Sequence, residues 1–132
     1  MGKFFCVDSP FVNHCSLEAV ERLPDGVRSR VVLKPELTNS WGSAHGGLLA
    51  TLLDASMTVA ARYAVDPDGQ QVVATVDLSV TYIGPGKNRI ECEARVTGRS
   101  GPMVYLEAVA RSEAGSLVAR ATATSRMIGD VK

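Results

Sequence analysis

The amino-acid sequence predicts an α+β fold in which a single antiparallel sheet wraps around one long central helix. Three features lead to this fold class. A nearly all-apolar segment of about twenty residues lies near the middle of the chain, four segments of alternating polarity follow it, and turns rich in Gly and Pro separate those segments. A helix that is apolar nearly all round is a buried helix, and strands joined by short turns are antiparallel neighbours.

The length and composition fit one compact domain covering residues 1–132. Of its 132 residues, 45% are apolar, which is enough for one core. The 14 basic and 14 acidic residues give a formal net charge of zero. We therefore expect no nucleic acid and no anionic membrane surface as a partner. The mostly apolar run of residues 48–53, which Asp54 ends, is also far shorter than a membrane span.

The cysteines and the first residues favour a reduced, cytoplasmic protein. Cys6, Cys15 and Cys92 are odd in number and widely spaced, which does not indicate a disulfide framework. The apolar patch at the start of the chain is broken by Asp8 and Pro10, so it does not resemble a signal peptide.

Before the central helix, the sequence predicts a short helix and two strands. The short helix has a serine at its N-cap and a proline at its first position. A Pro-Asp-Gly turn separates the two strands, and a second proline ends the later one. These three elements cover residues 9–15, 16–21 and 27–34.

The central helix is predicted to begin near His45 and to end near Ala64, and four strands follow it. About twenty residues correspond to roughly 30 Å of helix. The strands are predicted over residues 72–82, 89–96, 104–111 and 117–124. In the first of them the even-numbered residues are apolar and share one face. Each strand is expected to pair with its successor, and the open edges of such a sheet favour oligomerisation.

A polar loop enters the central helix at His45, Gly46 and Gly47. Two glycines at a helix start are unfavourable for helix formation, but they let a ligand approach the backbone closely. Free N–H groups at the positive end of a helix suit a developing oxyanion. The alternative is that the glycines serve only close packing of the helix on the sheet.

Asp54 is a lone carboxylate in the middle of this apolar helix. An unpaired buried carboxylate is costly, so Asp54 is either paired or functional. Arg62 lies eight positions further on, which makes pairing within the helix awkward. Asp54 follows His45 by nine positions, which is half a turn out of phase if the helix is regular from His45. Two chains with antiparallel facing helices could then bring the glycine loop and Asp54 together.

The segment running from Asn39 through His45-Gly46-Gly47 to Asp54, with the strand over residues 74–85, resembles the hotdog-fold acyl-CoA thioesterases. Specifically, it resembles the branch that contains the phenylacetyl-CoA thioesterases and the mammalian thioesterase superfamily member 2. The likeness covers roughly residues 10–128. It implies hydrolysis of an acyl-CoA thioester without a metal or other cofactor, with coenzyme A entering only as part of the substrate. It also implies a homodimer that shares its active sites, assembled as a dimer of dimers.

The resemblance assigns a role to each matching residue. Asp54 matches the catalytic carboxylate, acting as nucleophile or as general base toward water. Gly46 matches the glycine whose N–H polarises the thioester carbonyl, and Asn39 matches the residue that positions the water or the thioester. His45 matches an orienting histidine, and Thr75 stands where some relatives have an assisting serine.

Five further residues are candidates for substrate binding. Gly47 and Trp41 flank the helix entry, and Trp41 either lines the acyl pocket or caps the core. Lys87, Arg99 and Ser100 lie near strand ends, where they could contact the phosphates of coenzyme A. The alternative for the basic residues is an ordinary solvated face.

Other functions remain open from the residues alone. The main alternative is a module of the same fold that binds acyl-CoA without turning it over, although such a module has no need of a buried carboxylate. Hydratases of this fold use other motifs, and a purely structural interaction domain is a further class. His14, Cys15 and His45 match no zinc spacing, and a Cys–His hydrolase built from Cys15 and His45 has equally thin support.

Overall fold

The computed structural model describes residues 4–130, and in that range all the strands form one antiparallel sheet. The elements in chain order are α1 (Pro10–His14), β1 (Glu18–Leu23), β2 (Gly26–Val32), a 3₁₀ turn (Pro35–Leu37), α2 (Gly46–Val65), β3 (Gln71–Tyr82), β4 (Arg89–Ser100), β5 (Met103–Ser112) and β6 (Leu117–Asp130). The strand order is β1-β2-β4-β5-β6-β3, and α2 packs against five of these strands. The predicted fold class is confirmed.

The long helix α2 lies in the core, as predicted. Leu52, Leu53, Met57 and Val59 on it are fully buried. By length and composition α2 could also cross a membrane, with a mean hydropathy of 1.3, but half of that apolar window is buried inside the fold. A core helix wrapped by a sheet meets the same criteria, so its apolar character is explained by packing.

The faces of β4, β5 and β6 that pack on α2 follow the predicted alternation. Their buried members are mostly small residues, which allow the helix to approach the sheet closely. They are Ile90, Cys92, Ala94, Val104, Leu106, Ala108, Ala110, Ala119, Ala121 and Ala123. Earlier in the chain, Ser9 caps α1 as predicted. β1 begins two residues later than predicted, because Ser16 has a positive φ of 60° and turns the chain.

The prediction that each of the last four strands pairs with its successor is wrong for β3 and β4. β3 pairs with β6, and β4 pairs with β2 and β5. The connection over residues 83–88 starts with two N–H groups bonded to Val118 O on β6, at 2.9 and 3.1 Å. It ends where Asn88 O accepts from Leu33 N–H at 2.7 Å, beside β2. Six extended residues reach about 20 Å, which exceeds the roughly 14 Å of three strand spacings.

β3 does not keep one side-chain parity along its length. Thr75 faces α2, but the register shifts between Thr75 and Asp77. Beyond this bulge, Leu78 pairs with Ala123, whose side chain is buried on the α2 side of the sheet. A bulge inserts one extra residue and so reverses which residues face inward. The predicted single face of even-numbered residues is therefore correct only for the second half of β3.

Candidate active site

The entry to α2 is shaped by His45, which is the N-cap. Its backbone is extended, with φ −62° and ψ 138°, and its Nδ1 accepts the N–H of Gly47 at 2.8 Å. An accepting nitrogen carries no proton, so this geometry requires the neutral ring with its proton on Nε2. A Cβ at position 47 would lie 3.0 Å from Nδ1. Gly47 thus serves the cap, and its N–H is already engaged by the His45 ring.

Gly46 is the first residue of α2, and its two backbone groups have different partners. Its carbonyl accepts a hydrogen bond from the Tyr82 hydroxyl at 2.8 Å. Its N–H meets no acceptor among residues 4–130. The Tyr82 ring lies 3.4 Å from where a Cβ at position 46 would stand, so it flanks this glycine. The Gly46 N–H is therefore an available donor at the helix N-terminus, at the glycine that the sequence singled out.

Asn39 organises the loop before the helix. Its Oδ1 accepts from the N–H groups of Trp41 at 2.9 Å and Ser43 at 3.1 Å. Its own backbone N–H donates to Ser43 O at 2.8 Å. Only the Asn39 amide NH₂ is left for a water or a thioester. Trp41 is 83% exposed, so the reading that it caps the core is wrong.

Asp54 is half-buried and is held by hydroxyl groups rather than by a cation. Thr75 Oγ1 donates to Asp54 Oδ1 at 2.7 Å, and Thr58 Oγ1 lies 3.4 Å from Thr75 Oγ1. The Arg62 guanidinium instead donates twice to Gly69 O, at 3.1 and 2.6 Å. The ion pairs within residues 4–130 do not include Asp54.

Two contributors to this arrangement were not identified from the sequence. Thr58 stands four positions after Asp54, the spacing at which helix side chains are neighbours, so it could have been noticed. Tyr82 lies seven positions after Thr75 in the sequence, and the bulge in β3 places both side chains on the α2 side. Nothing in the sequence signals that bulge.

The predicted half-turn between the loop donors and Asp54 does not hold. The helix is not regular from His45, because that residue is an extended N-cap. Gly46 and Asp54 both lie on the side of α2 that contacts β3, through Tyr82 and Thr75. Eight residues of helix separate them by roughly 12 Å along the axis at 1.5 Å per residue. Gly46 and Asp54 of one chain therefore cannot act on the same carbon because they are too far apart along the helix axis, and not because they lie on opposite sides of the helix.

Asp54 opens into a groove of about 300 Å³ between α2 and the N-terminal segment, here called the Asp54 groove. Its lining residues are Val7, Ser9, Phe11, Val12, Thr51, Asp54, Ala55 and Thr58. A larger concavity of about 430 Å³ lies on the opposite face of the sheet, where Glu93, Arg95 and Arg120 point away from α2. It is remote from Asp54 and from the helix entry, so the smaller groove is the relevant one.

The three predicted phosphate contacts do not come together within one chain. Lys87 follows Gly86, whose carbonyl accepts the Ala44 N–H at 2.8 Å, so it stands beside the helix entry. Arg99 and Ser100 lie at the far end of β4, which at about 3.3 Å per residue is more than 30 Å from its start. All three are exposed.

The cysteines do not offer a nucleophile at this site. Burial raises the pKa of the Cys15 thiol, and the nearby Lys34 only partly offsets this. Burial likewise raises the pKa of Cys92 to about 11. A thiol that stays protonated is a poor nucleophile, so the Cys–His reading has no support. Among residues 4–130, no group of three or more His, Cys, Asp or Glu could hold a metal ion.

Comparison with known proteins identifies a matching family and a similar curated protein. The family model described as the thioesterase superfamily matches residues 42–119. An esterase-named protein of Halobacterium salinarum is 37% identical over 82 residues, which are 59% of this chain and 54% of that protein. The chain thus spans about half the length of this curated relative.

Solved structures share the fold. The E. coli PaaI protein from the phenylacetic acid degradation operon matches with a TM-score of 0.84 and 14% identity, over 95% of this chain and 89% of its own. The thioesterase HI1161 from Haemophilus influenzae matches with a TM-score of 0.84 and 17% identity, over 94% and 85%. At these identities the likeness shows the fold, which is the predicted hotdog fold.

Proposed function

Because this chain belongs to the thioesterase superfamily, we propose that it hydrolyses an acyl-CoA thioester to the free acid and coenzyme A. One observation carries the proposal. Asp54 opens into a groove with one carboxylate oxygen held by Thr75 and with no cation paired to it among residues 4–130. A carboxylate kept without a counter-ion on an apolar helix suits a base or nucleophile better than a structural ion pair.

Asp54 would act on water or on the thioester carbon. As a general base it takes a proton from water while the water oxygen bonds to the thioester carbon. The tetrahedral oxyanion then collapses, the carbon–sulfur bond breaks, and coenzyme A leaves as its thiolate, a good leaving group that picks up the proton. As a nucleophile, Asp54 would instead attack the thioester carbon and expel the coenzyme A thiolate, and water would then hydrolyse the resulting mixed anhydride to the free acid and the Asp54 carboxylate. Thr75 orients the carboxylate in either route.

The oxyanion would be stabilised at the start of α2. The Gly46 N–H is a free donor there, and it stands at the positive end of a helix of twenty residues. The His45 ring has its Nδ1 engaged with Gly47, which leaves its Nε2–H as a donor toward the thioester. His45 therefore orients the substrate and does not act as a base in this geometry. The Asn39 amide NH₂ completes the polar side of the site.

A homodimer would bring these two halves together, and the edges of the sheet support this. β1, at one edge, is short and carries exposed charged residues such as Glu18 and Arg22. β3, at the other edge, is twelve residues long and exposes Val76 at 53% and Tyr82 at 53%. Long apolar edge strands are sites of strand pairing, whereas short charged edges are protected from it.

Antiparallel pairing of β3 with its copy would create shared sites. A two-fold axis between the strands places the Thr75 end of one β3 beside the Tyr82 end of the other. Thr75 holds Asp54 and Tyr82 contacts Gly46, so the carboxylate of one protomer would approach the oxyanion donor of its partner. The dimer-of-dimers tetramer rests on the resemblance, and phosphate contacts by Lys87, Arg99 and Ser100 rest on the chemistry of these side chains. Both remain part of the proposal.

The test is release of free thiol from a panel of acyl-CoAs, followed with a disulfide-exchange dye. We expect turnover on at least one thioester, with a blank lacking substrate to subtract the reaction of Cys6, the least buried cysteine. Affinity for each acyl-CoA is measured separately by calorimetry. Tight binding without turnover on any thioester would favour the non-catalytic acyl-CoA-binding module.

A further inference from the structure

The Asp54 groove offers a ligand almost no free polar group. Ser9 Oγ accepts a backbone N–H of α1 at 3.3 Å, and Thr51 Oγ1 donates to a backbone carbonyl of α2 at 2.8 Å. Thr58 Oγ1 lies 3.4 Å from the Thr75 hydroxyl. Each of these hydroxyls thus makes one contact within the protein, and the Ser9 O–H remains free to donate. The Asp54 carboxylate is the only charged group among the described lining residues.

The other lining residues are apolar, and one of them is unusually exposed. Phe11 on α1 is 60% exposed, although its neighbour Val12 is buried and Ser9 caps the helix. Across the groove stands Ala55, next to Asp54 on α2. An apolar ligand that covered Phe11 would remove its aromatic surface from water, which is favourable at about 25 cal/mol per Å². No lysine, arginine or histidine belongs to the described lining of the groove.

We propose that the Asp54 groove holds the acyl part of the thioester and selects an uncharged, apolar acyl group of up to about ten non-hydrogen atoms. This inference rests on the proposed function. The size follows from the volume of about 300 Å³, because one water in the liquid, similar in size to a methylene, occupies about 30 Å³. Phe11 forms the wall that determines specificity, and Ala55 leaves the room that the acyl group fills.

The same lining excludes acyl groups that end in a carboxylate. Such a group would enter apolar surroundings beside the negative charge of Asp54, with no lining cation to pair with it. Burial of an unpaired charge and repulsion at short range both oppose its binding. Succinyl-CoA should therefore be a poor substrate compared with butyryl-CoA, which has the same number of acyl carbons.

The first experiment compares kcat/KM of the wild-type protein on six thioesters. We expect hexanoyl-CoA and phenylacetyl-CoA to exceed both acetyl-CoA and palmitoyl-CoA by at least roughly tenfold, as expected for filled versus unfilled apolar pockets. Butyryl-CoA should exceed succinyl-CoA by about a hundredfold. Equal rates on succinyl-CoA and butyryl-CoA, or a preference for palmitoyl-CoA, would overturn the inference. If no thioester is hydrolysed, the proposed function itself fails, and this inference fails with it.

The second experiment assigns the selectivity to this groove. The Phe11→Ala variant should lower the ratio of kcat/KM on hexanoyl-CoA to that on acetyl-CoA by roughly tenfold, because the long acyl group loses its wall. The Ala55→Leu variant should lower the same ratio further by filling the groove. Val20→Ala, which alters an exposed apolar residue on the opposite edge strand, should leave it unchanged. An unchanged ratio in both groove variants, with thioester hydrolysis intact, overturns the inference and leaves the proposed function standing.

Discussion

Thr75 on the edge strand β3 donates a hydrogen bond of 2.7 Å to Asp54 on the central helix. This bond joins a residue near the middle of α2 to the open edge of the sheet. Seven positions further along the same strand, Tyr82 binds the carbonyl of Gly46. A single edge strand therefore contacts both the carboxylate and the glycine at the helix entry.

The Asp54→Asn variant should lose roughly a hundredfold to ten-thousandfold in kcat on the best thioester, because the amide keeps the size of the side chain but cannot act as a base. Binding of acyl-CoA, measured by calorimetry, should persist. Asp68→Asn, an exposed carboxylate in the loop after α2, is the matched control and should behave as wild type. A near-wild-type kcat for Asp54→Asn would make Asp54 a structural carboxylate.

The Thr75→Ala variant should lose less, about tenfold in kcat, because a hydrogen bond to a charged group is worth roughly 1.5–3 kcal/mol and only part of it acts in the transition state. Thr75→Ser keeps the hydroxyl and should recover most of the activity. Steady-state kinetics of the two variants separates the roles of the hydroxyl and the methyl. Equal losses in both would assign the effect to packing of the methyl group.

Mixed dimers should report on the shared site. A chain with Asp54→Ala and a chain with Asn39→Ala are each expected to be nearly inactive alone. If each site takes one residue from each protomer, statistical mixing gives half mixed dimers with one intact site each, or about a quarter of wild-type activity. The two chains are co-expressed, and a thiol-release assay on the total dimer pool measures this. Mixed dimers isolated through two affinity tags should show about half of wild-type activity. Activity no greater than the mean of the two parents would place each site within one chain.

The burial of α2 predicts an unequal response to added charge along the helix. Leu52→Asp places an unpaired carboxylate in the core and should destabilise the fold by several kcal/mol. Ala64→Asp, at an exposed position of the same helix, should lower the free energy of unfolding by less than about 1 kcal/mol. Urea unfolding gives both values. If Leu52→Asp does not fold, Leu52→Ala should still show a loss of about 2–5 kcal/mol.

A group of ion pairs at the surface should make the free energy of unfolding fall as the pH becomes acidic. Arg28 and Arg95 donate to Glu93, each at 2.8 Å, and lower the pKa of this carboxyl below its ordinary value of 4.5. A carboxyl with a lowered native pKa stabilises the fold above its unfolded-state pKa, and this contribution is lost as the pH falls through the native pKa. Since the pair is partly exposed, Glu93→Gln should cost at most about 1 kcal/mol at pH 7.

Unfolding of wild type and Glu93→Gln is therefore compared at pH 7 and near pH 3. The difference in unfolding free energy should shrink as the pH falls, and it should approach zero once the pH is below the lowered native pKa of Glu93. Glu36→Gln, at an exposed position in the 3₁₀ turn, serves as the control and should show little difference at either pH. A gap for Glu93→Gln that persists in acid would indicate a packing effect instead of a charge effect.

Local patterns in the sequence were enough to predict most helices and strands and to single out Gly46 and Asp54. The apolar character of residues 46–65 identifies a buried helix because a helix without a polar face must be covered on all sides. The alternation in β4, β5 and β6 identifies their inward faces because side chains in a strand repeat every two residues. Gly46 and Asp54 also stand out locally. Gly46 is unusual because glycine is unfavourable for helix formation, and Asp54 is unusual because it is a charged residue among apolar ones.

Only the tertiary structure decided what surrounds Asp54 and Gly46. The sequence predicted that β3 pairs with β4, but a connection long enough to cross two strands allows β3 to reach the open edge beside β6. One bulge then reverses the parity of β3, so that Thr75 and Tyr82 both meet α2. Strand order and bulges follow from long-range pairing, which no local periodicity encodes. For that reason the sequence by itself determined which residues are chemically unusual, and packing decided which partners hold them.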